Sequence, residues 1–182
     1  KTTTTGMLTQ LFIQAGKDPS AIIGGKLPFI GSNGRAGKSD IMICEACEYV
    51  DTFLKLSPAI SIILNIDADH LEYFGSLENI IKSFHQFANQ TSKVLIVNGD
   101  DENVKKAIKD IQDVKIITFG LGADNDYSAA NIKEEPNVFE DFTLMKQGTP
   151  LTDIRLSVPG KHNIMNALAA AATADYFGIS GN

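Results

Sequence analysis

Four stretches of this sequence hold residues whose types and spacing could do chemistry. The first is Lys1-Thr2-Thr3-Thr4-Thr5-Gly6. β-Branched threonines open a helix poorly unless hydroxyls and backbone amides are wanted there. The end of a phosphate-binding loop wants them: its lysine contacts the β- and γ-phosphates, and the next hydroxyl ligates Mg2+ at a helix N-terminus. The glycine half of that pattern would lie before residue 1, so a threonine-rich chain end with no such task stands as the alternative. The second stretch centres on Glu45, at the carboxyl end of an expected strand, where ligands of open α/β sheets sit. A carboxylate there can hold Mg2+ against a triphosphate; taken alone, an exposed charge where a strand leaves the sheet is the simpler reading.

The third stretch, Asn65-Ile66-Asp67-Ala68-Asp69-His70, ends the most apolar strand of the chain with an abrupt change to ionisable residues. Such groups at a strand's carboxyl end favour function over a turn with an Asx cap. The fourth, Gly160-Lys161-His162-Asn163-Ile164-Met165-Asn166-Ala167, opens the last helix. Asn163 and Asn166 share a helix face. Capping explains Asn163 and leaves Asn166 unexplained, whereas paired amides suit an adenine edge. Cys44 and Cys47 form a C-x-x-C, but their sulfurs diverge from a strand and no second ligand pair exists for zinc, so both are read as free thiols. His85 is read as a plain surface or boundary residue.

The elements that must position these groups alternate. Leu8, Leu11, Phe12 and Ala15 mark a helix that Gly16 ends. Ala21-Ile22-Ile23 is a short apolar run, and Lys26 to Lys38 reads as a loop. Asp40 to Cys44 and Ser61 to Ile66 read as strands covered on both faces. Leu77, Ile80, Ile81 and Phe84 mark a helix with Ser76 as N-cap. Lys93 to Val97 and Lys115 to Phe119 are strands on either side of a helix bearing Val104, Ala107, Ile108 and Ile111. This predicts an α/β fold: a mostly parallel sheet flanked by helices. After about Gly122 the pattern changes to a small antiparallel β region over 126–160, with a turn at Gln147-Gly148-Thr149-Pro150. A helix follows from Asn163 to Phe177.

At 182 residues, 43% of them hydrophobic, the chain can bury a substantial core in one domain. A net charge of −6 argues against a general nucleic-acid or anionic-membrane binder. No apolar run approaches the roughly 20 residues of a membrane helix. Reduced cysteines suit a cytoplasmic location. A chain opening on Lys1 has no native start to inspect, and its true termini are expected to lie outside it.

Together and in this order, the four stretches resemble the central, ATP-binding domain of the Mur ligases, over essentially the whole chain, residues 1–182. Lys1-Thr2-Thr3-Thr4 resembles the end of the family's G-T-x-G-K-T-T-T loop, and Glu45-Ala46-Cys47-Glu48 its E-A-D-E segment. Asn65 to His70 resembles N-I-x-x-D-H, and Gly160 to Ala167 the G-x-H-N-x-x-N-A segment. The interval from Glu45 to His70 resembles that of the branch that adds L-alanine to UDP-N-acetylmuramate.

The resemblance implies a three-layer, P-loop-type fold with a small antiparallel β subdomain. It implies a cytoplasmic ligase of peptidoglycan precursor synthesis that uses ATP and Mg2+ and forms an acyl phosphate from the lactyl carboxylate. The L-alanine amine then attacks that acyl phosphate. Lys1 would stabilise the transferring phosphoryl group, with Thr2 and Thr3 beside it at the nucleotide. Thr2 and Glu45 would hold one Mg2+ and His70 would help hold a second. His162, Asn163 and Asn166 would border the adenosine, and Asn33-Gly34-Arg35 would face the UDP-sugar. Cys47 departs from the family's acid, so that position is given no ionic role, and no carbamylated lysine is nominated. The amino-terminal UDP-binding and carboxy-terminal domains are expected to lie outside this chain, which alone should fold without catalysing ligation. The alternatives are a tripeptide-recycling ligase or a folylpolyglutamate synthase, both disfavoured by Asp67-Ala68-Asp69-His70, and a non-catalytic nucleotide-binding module.

Overall fold

The structure, a computed structural model, describes residues 1–133 and 140–179. The threonine run is itself helical: α1 spans Thr2–Gln14, burying Leu8 and Phe12, and Gly16 follows it at φ 71°. β1 (Ser20–Leu27) runs next, then a 3-10 turn at Pro28–Ile30 and β2 (Ser32–Arg35). The expected loop over 26–38 therefore contains a strand. Ser-Asn-Gly-Arg has no apolar alternation to announce it, and its partner β1 recruits it through an antiparallel ladder, Ala21 opposite Arg35 and Leu27 opposite Ser32. β3 (Met42–Cys44) pairs parallel with β1 and completes a three-stranded sheet in the order β2-β1-β3.

The second sheet begins with β4 (Ile60–Ile63). A short helix α2 (Leu71–Phe74) precedes α3 (Leu77–Asn89), where Ser76 accepts the Asn79 amide as expected of an N-cap. β5 (Val94–Asn98), α4 (Glu102–Ile108) and β6 (Lys115–Phe119) follow. Asp101 caps α4, accepting from the amides of Asn103 and Val104, both at 2.9 Å. β4, β5 and β6 pair in parallel register, with Ile62 opposite Ile96 and Ile96 opposite Ile117.

β7 (Tyr127–Lys133), which the sequence pattern does not announce, joins β6 at Phe119 and Tyr127. β8 (Asp141–Lys146) and β9 (Thr149–Arg155) then add the expected antiparallel hairpin to the same sheet, giving the order β4-β5-β6-β7-β8-β9. Its turn is tighter than predicted. Gln147 and Gly148, at φ 48° and 76°, form a two-residue connection, and Pro150 already lies in β9. α5 (Lys161–Tyr176) closes the described chain.

Period-two alternation along β5 builds the layers. Val94 and Ile96 face α5 with Ile164, Leu168 and Ala172. Leu95 and Val97 face α3 and α4 with Ile80, Phe87, Val104 and Ala107. The small side chains of α5 also let Ala170 and Ala174 meet Leu8 and Phe12 of α1 over β1 and β3. No helix of the described residues is long and apolar enough to cross a membrane.

Candidate nucleotide and metal site

α1 starts without a side-chain cap and with no acidic residue in its first turn. Helix N-termini present amide groups and a partial positive charge, which favours an anion. Thr2 and Thr3 lie exposed in that turn, whereas Thr4 and Thr5 are buried. The carboxyl end of β3 delivers Glu45 to the same place. One Glu45 oxygen accepts the Thr2 hydroxyl at 3.0 Å, and the other accepts the Gly24 amide at 2.8 Å. Gly24 permits this approach, because a Cβ at that position would sit 2.6 Å from the Glu45 Oε2. Lys1 Nζ donates to Glu48, forming an ion pair one segment further on.

The carboxyl end of β4 brings the other half. Glu48, Asp69 and His70 each offer one ligand atom within 4.8 Å of the others. The His70 backbone is left-handed, at φ 53°, where it starts α2. Its ring lies 3.5 Å from a Glu72 oxygen and 3.8 Å from one of Asp69, with its centroid 4.7 Å from that of Tyr49. Val50 and Asp51 share the left-handed conformation, so three such residues surround this corner. Asp51 holds the chain there by accepting hydroxyls from Tyr73, at 2.8 Å, and from Ser83. Lys1, Glu45, Glu48, Asn65, Asp69 and His70 all line one cleft of about 1080 Å³.

Asn163 and Asn166 do something that spacing alone did not reveal. Buried Asn163 donates to the Pro159 carbonyl at 2.7 Å and accepts from Asn166 at 2.9 Å. Asn166 accepts the Thr4 hydroxyl at 2.8 Å. This chain ties the start of α5 to the first turn of α1, so Asn166, which capping left unexplained, has a partner. His162 is exposed beside Gly160, which has φ 107° and at which a Cβ would sit 2.7 Å from the His162 ring. Arg35 is drawn into an ion pair with Asp18 and does not line the cleft.

The structure thus joins Thr2 to Glu45 and Lys1 to Glu48, and sets His70 against Glu48 and Asp69, so Lys1 links the two groups through its neighbour Thr2. Glu48 and Asp69 were quoted within motifs but given no role. Their signal lay in standing beside Glu45 and His70, while their convergence depends on the fold. Cys44 and Cys47 are free and exposed. Hydroxyl and carboxylate oxygens are the donors a hard divalent cation takes, and a carboxylate–imidazole group can add to them.

The profile of the Mur ligase middle domain matches residues 1–174. The chain belongs to the Mur ligase family. This middle domain is 40% identical over 181 residues to the UDP-N-acetylmuramate–L-alanine ligase of Caldanaerobacter subterraneus subsp. tengcongensis. It is 42% identical over 183 residues to the enzyme of that name from Acetivibrio thermocellus. Each alignment covers nearly all of this chain, 98% and 99%, but 39% of the relative. Among solved structures, the Thermotoga maritima UDP-N-acetylmuramate–alanine ligase superposes with a TM-score of 0.83 at 28% identity, over 98% of this chain and 39% of that one. The UDP-N-acetylmuramate:L-alanyl-γ-D-glutamyl-meso-diaminopimelate ligase of Neisseria meningitidis superposes at 0.85 with 25% identity, over 98% and 59%. The Mur ligase middle domain therefore spans about two fifths of the curated relatives it matches.

Proposed function

We propose that this domain is the ATP-binding, phosphoryl-transferring part of a longer cytoplasmic ligase of peptidoglycan precursor synthesis. That ligase joins L-alanine to UDP-N-acetylmuramate and converts ATP to ADP and phosphate. The observation that carries the reading is the uncapped start of α1, where Thr2 shares Glu45 while Lys1 reaches toward the Glu48–Asp69–His70 group. Identity of 40% or more to alanine-adding ligases favours L-alanine over the tripeptide as acceptor.

Lys1 and the first amides of α1 would hold the β- and γ-phosphates, because both put positive charge where negative charge accumulates during transfer. The oxygen donors of Thr2 and Glu45 suit Mg2+, and Glu48, Asp69 and His70 would suit a second ion nearer the acceptor carboxylate. When bound, Mg2+ supplies charge neutralisation and Lewis acidity. Lys1 would leave Glu48 for the nucleotide, freeing that carboxylate for the cation. Gly24 keeps the Glu45 carboxylate in place by letting its amide donate. The Pro159–Asn163–Asn166–Thr4 chain would hold the adenosine side rigidly against the phosphate side, with His162 at its exposed rim. Binding of the UDP-sugar and of L-alanine would fall to parts of the longer chain. Once the carboxylate is phosphorylated, the amine displaces phosphate through a tetrahedral intermediate, and positioning supplies most of that step.

Phosphate release by the full-length protein tests this, with Mg2+-ATP, UDP-N-acetylmuramate and either L-alanine or the tripeptide. Release that needs L-alanine and falls by roughly 10²-fold or more in His70→Ala is the expected result. Release with the tripeptide alone would move the protein to the recycling branch. Absence of release with both acceptors, despite ATP binding, would leave a nucleotide-binding module.

A further inference from the structure

Glu48 and His70 reach the cleft from two separate segments, one following β3 and the other following β4. Each is followed by the same backbone turn. The Asp51 amide donates to the Glu48 carbonyl at 3.0 Å, and the Tyr73 amide donates to the His70 carbonyl at 3.0 Å. The far ends of the two turns are joined, because the Tyr73 hydroxyl donates to Asp51 Oδ2 at 2.8 Å. A closed bracket results, running from Glu48 through Asp51 and Tyr73 to His70. A further link crosses it: the Tyr49 ring lies 4.7 Å from that of His70 and 6.3 Å from that of Tyr73, centroid to centroid. The other Asp51 oxygen anchors the bracket by accepting the hydroxyl of buried Ser83, on a helix that Ile80 and Phe87 fix to the core. Tyr49, Val50 and Tyr73 are each more than two fifths exposed. Val50 nevertheless sits at φ 52°, which a β-branched residue avoids, and Asp51 follows at φ 53°. Strain kept at an exposed corner beside a site points to a task there.

We infer that, on the reading that Glu48, Asp69 and His70 take a second cation, Asp51 and Tyr73 are positioning residues that set the Glu48 carboxylate against the His70 ring. Neither belongs to the three groups whose ligand atoms converge, so both act through Glu48 and His70. α2, which carries His70 at its start, is only four residues long. Buried Phe74 holds its far end, with Asn79 donating to the Phe74 carbonyl at 2.7 Å. The bracket fixes the other end, the one that bears His70. Without it, α2 is free to turn about Phe74 and carry the imidazole away from Glu48. Groups that orient metal ligands without touching the ion typically govern about ten- to a hundredfold in affinity.

Mn2+ titrations of the full-length protein test this without turnover. A stoichiometric non-hydrolysable ATP analogue is present, and loss of the free-ion signal in electron paramagnetic resonance reports binding. Tyr73→Phe, which removes one oxygen, should weaken one of two ions about tenfold and leave the other within about twofold. Asp51→Ala should weaken that same ion by up to about a hundredfold, and Asp51→Asn by less, because an amide still offers each hydroxyl a partner. In phosphate release, Tyr73→Phe should raise the half-saturating Mg2+ about tenfold, with kcat at saturating Mg2+ and the KM for ATP nearly unchanged. A lowered melting temperature with both ions bound as in the native chain would assign the bracket to stability alone and overturn the inference. Equal losses in Asp51→Asn and Asp51→Ala would overturn it too, because charge rather than position would then be at work. His70→Ala separates this inference from the reading beneath it. If His70→Ala abolishes one ion while Tyr73→Phe and Asp51→Ala change neither, the cation reading stands and the positioning role falls. If the native chain binds one ion, or His70→Ala keeps both, the cation reading falls and the positioning role with it.

Discussion

The halves of this domain on either side of the cleft are built on opposite terms. In β5, four consecutive residues, Val94 to Val97, are wholly buried, and both flanking strands pair along it in unbroken parallel register. β3, by contrast, is three residues long with only Ile43 buried, and it leads into Glu45, Glu48 and a segment with two left-handed residues. Apolar burial and complete ladders fix geometry and leave nothing over for chemistry. Charged groups are instead gathered at the carboxyl ends of the less complete strands, where backbone and side chains are still free to take a ligand.

The sharpest way to break this contrast is to exchange the roles of the halves. Lys1→Ala or Glu45→Ala should cut phosphate release by the full-length protein about 10²–10³-fold, the scale of losing one charge-stabilising group. The melting temperature should stay nearly unchanged, because both side chains sit at the mouth of the cleft. Equal losses of stability and activity would mean that this corner is structural. Leu95→Ala should do the reverse. Leu95 is wholly buried between β5 and the α3–α4 layer, and its truncation should cost about 2–5 kcal/mol of unfolding free energy. Turnover per folded molecule should remain, and a chemical denaturation curve beside an assay below the transition separates the two.

How much of this could be read in advance follows the same division. The helix that Ser76 caps, the strands around Val97 and Phe119, and the final helix were legible because their apolar residues keep one period throughout. β2 was not, since Ser-Asn-Gly-Arg borrows its conformation from β1. β7 was hidden for a related reason: Tyr-Ser-Ala-Ala-Asn-Ile-Lys has no clean alternation, and Asp126 fixes its start by accepting both the amide and the hydroxyl of Thr118. The turn around Val50 was illegible in principle, because a β-branched residue at φ 52° runs against local preference and tertiary contacts must hold it. Within the candidate site, His70 stood out by type and position, whereas Lys1, Thr2 and Glu45 gained their roles only from the resemblance carried by the four stretches together. Glu48 became visible only when Lys1, 47 positions away, was brought to it.

A smaller change should sharpen the comparison at its boundary. Gly24 is a strand residue whose missing side chain serves the Glu45 carboxylate. Gly24→Ala places a Cβ 2.6 Å from Glu45 Oε2 and must displace it. Displacement of a positioned group by a fraction of an ångström to one ångström should lower phosphate release about ten- to a hundredfold. Added Mg2+ should recover part of the loss if the displaced carboxylate serves the cation. A Gly24→Ala protein with normal turnover would show that Glu45 has no positional task.

The smallest effect belongs to the structural half, at a cluster that does not line the cleft. Tyr127, 4% exposed, donates its hydroxyl to Asp175, which also accepts Lys146 Nζ at 2.7 Å. Burial alone would raise the Asp175 pKa, but the hydrogen bonds from Lys146 and Tyr127 outweigh it and hold the carboxyl below its ordinary value. Burial, and then the bond to Asp175, raise the Tyr127 phenol, so it stays a donor across the neutral range. A carboxyl whose folded pKa is depressed binds protons more readily when unfolded. Its contribution to stability is therefore complete above the ordinary aspartate value near 4, and disappears as pH falls through the lower folded value. With Lys146 partly exposed, the whole contribution should be about 1 kcal/mol at most. The stability difference between the native chain and Asp175→Asn should therefore be full at pH 7, and should narrow progressively below pH of about 4. Urea titrations across that range would show it, and a difference constant down to strong acid would mean that the carboxylate's charge contributes nothing to holding α5 against β7 and β8.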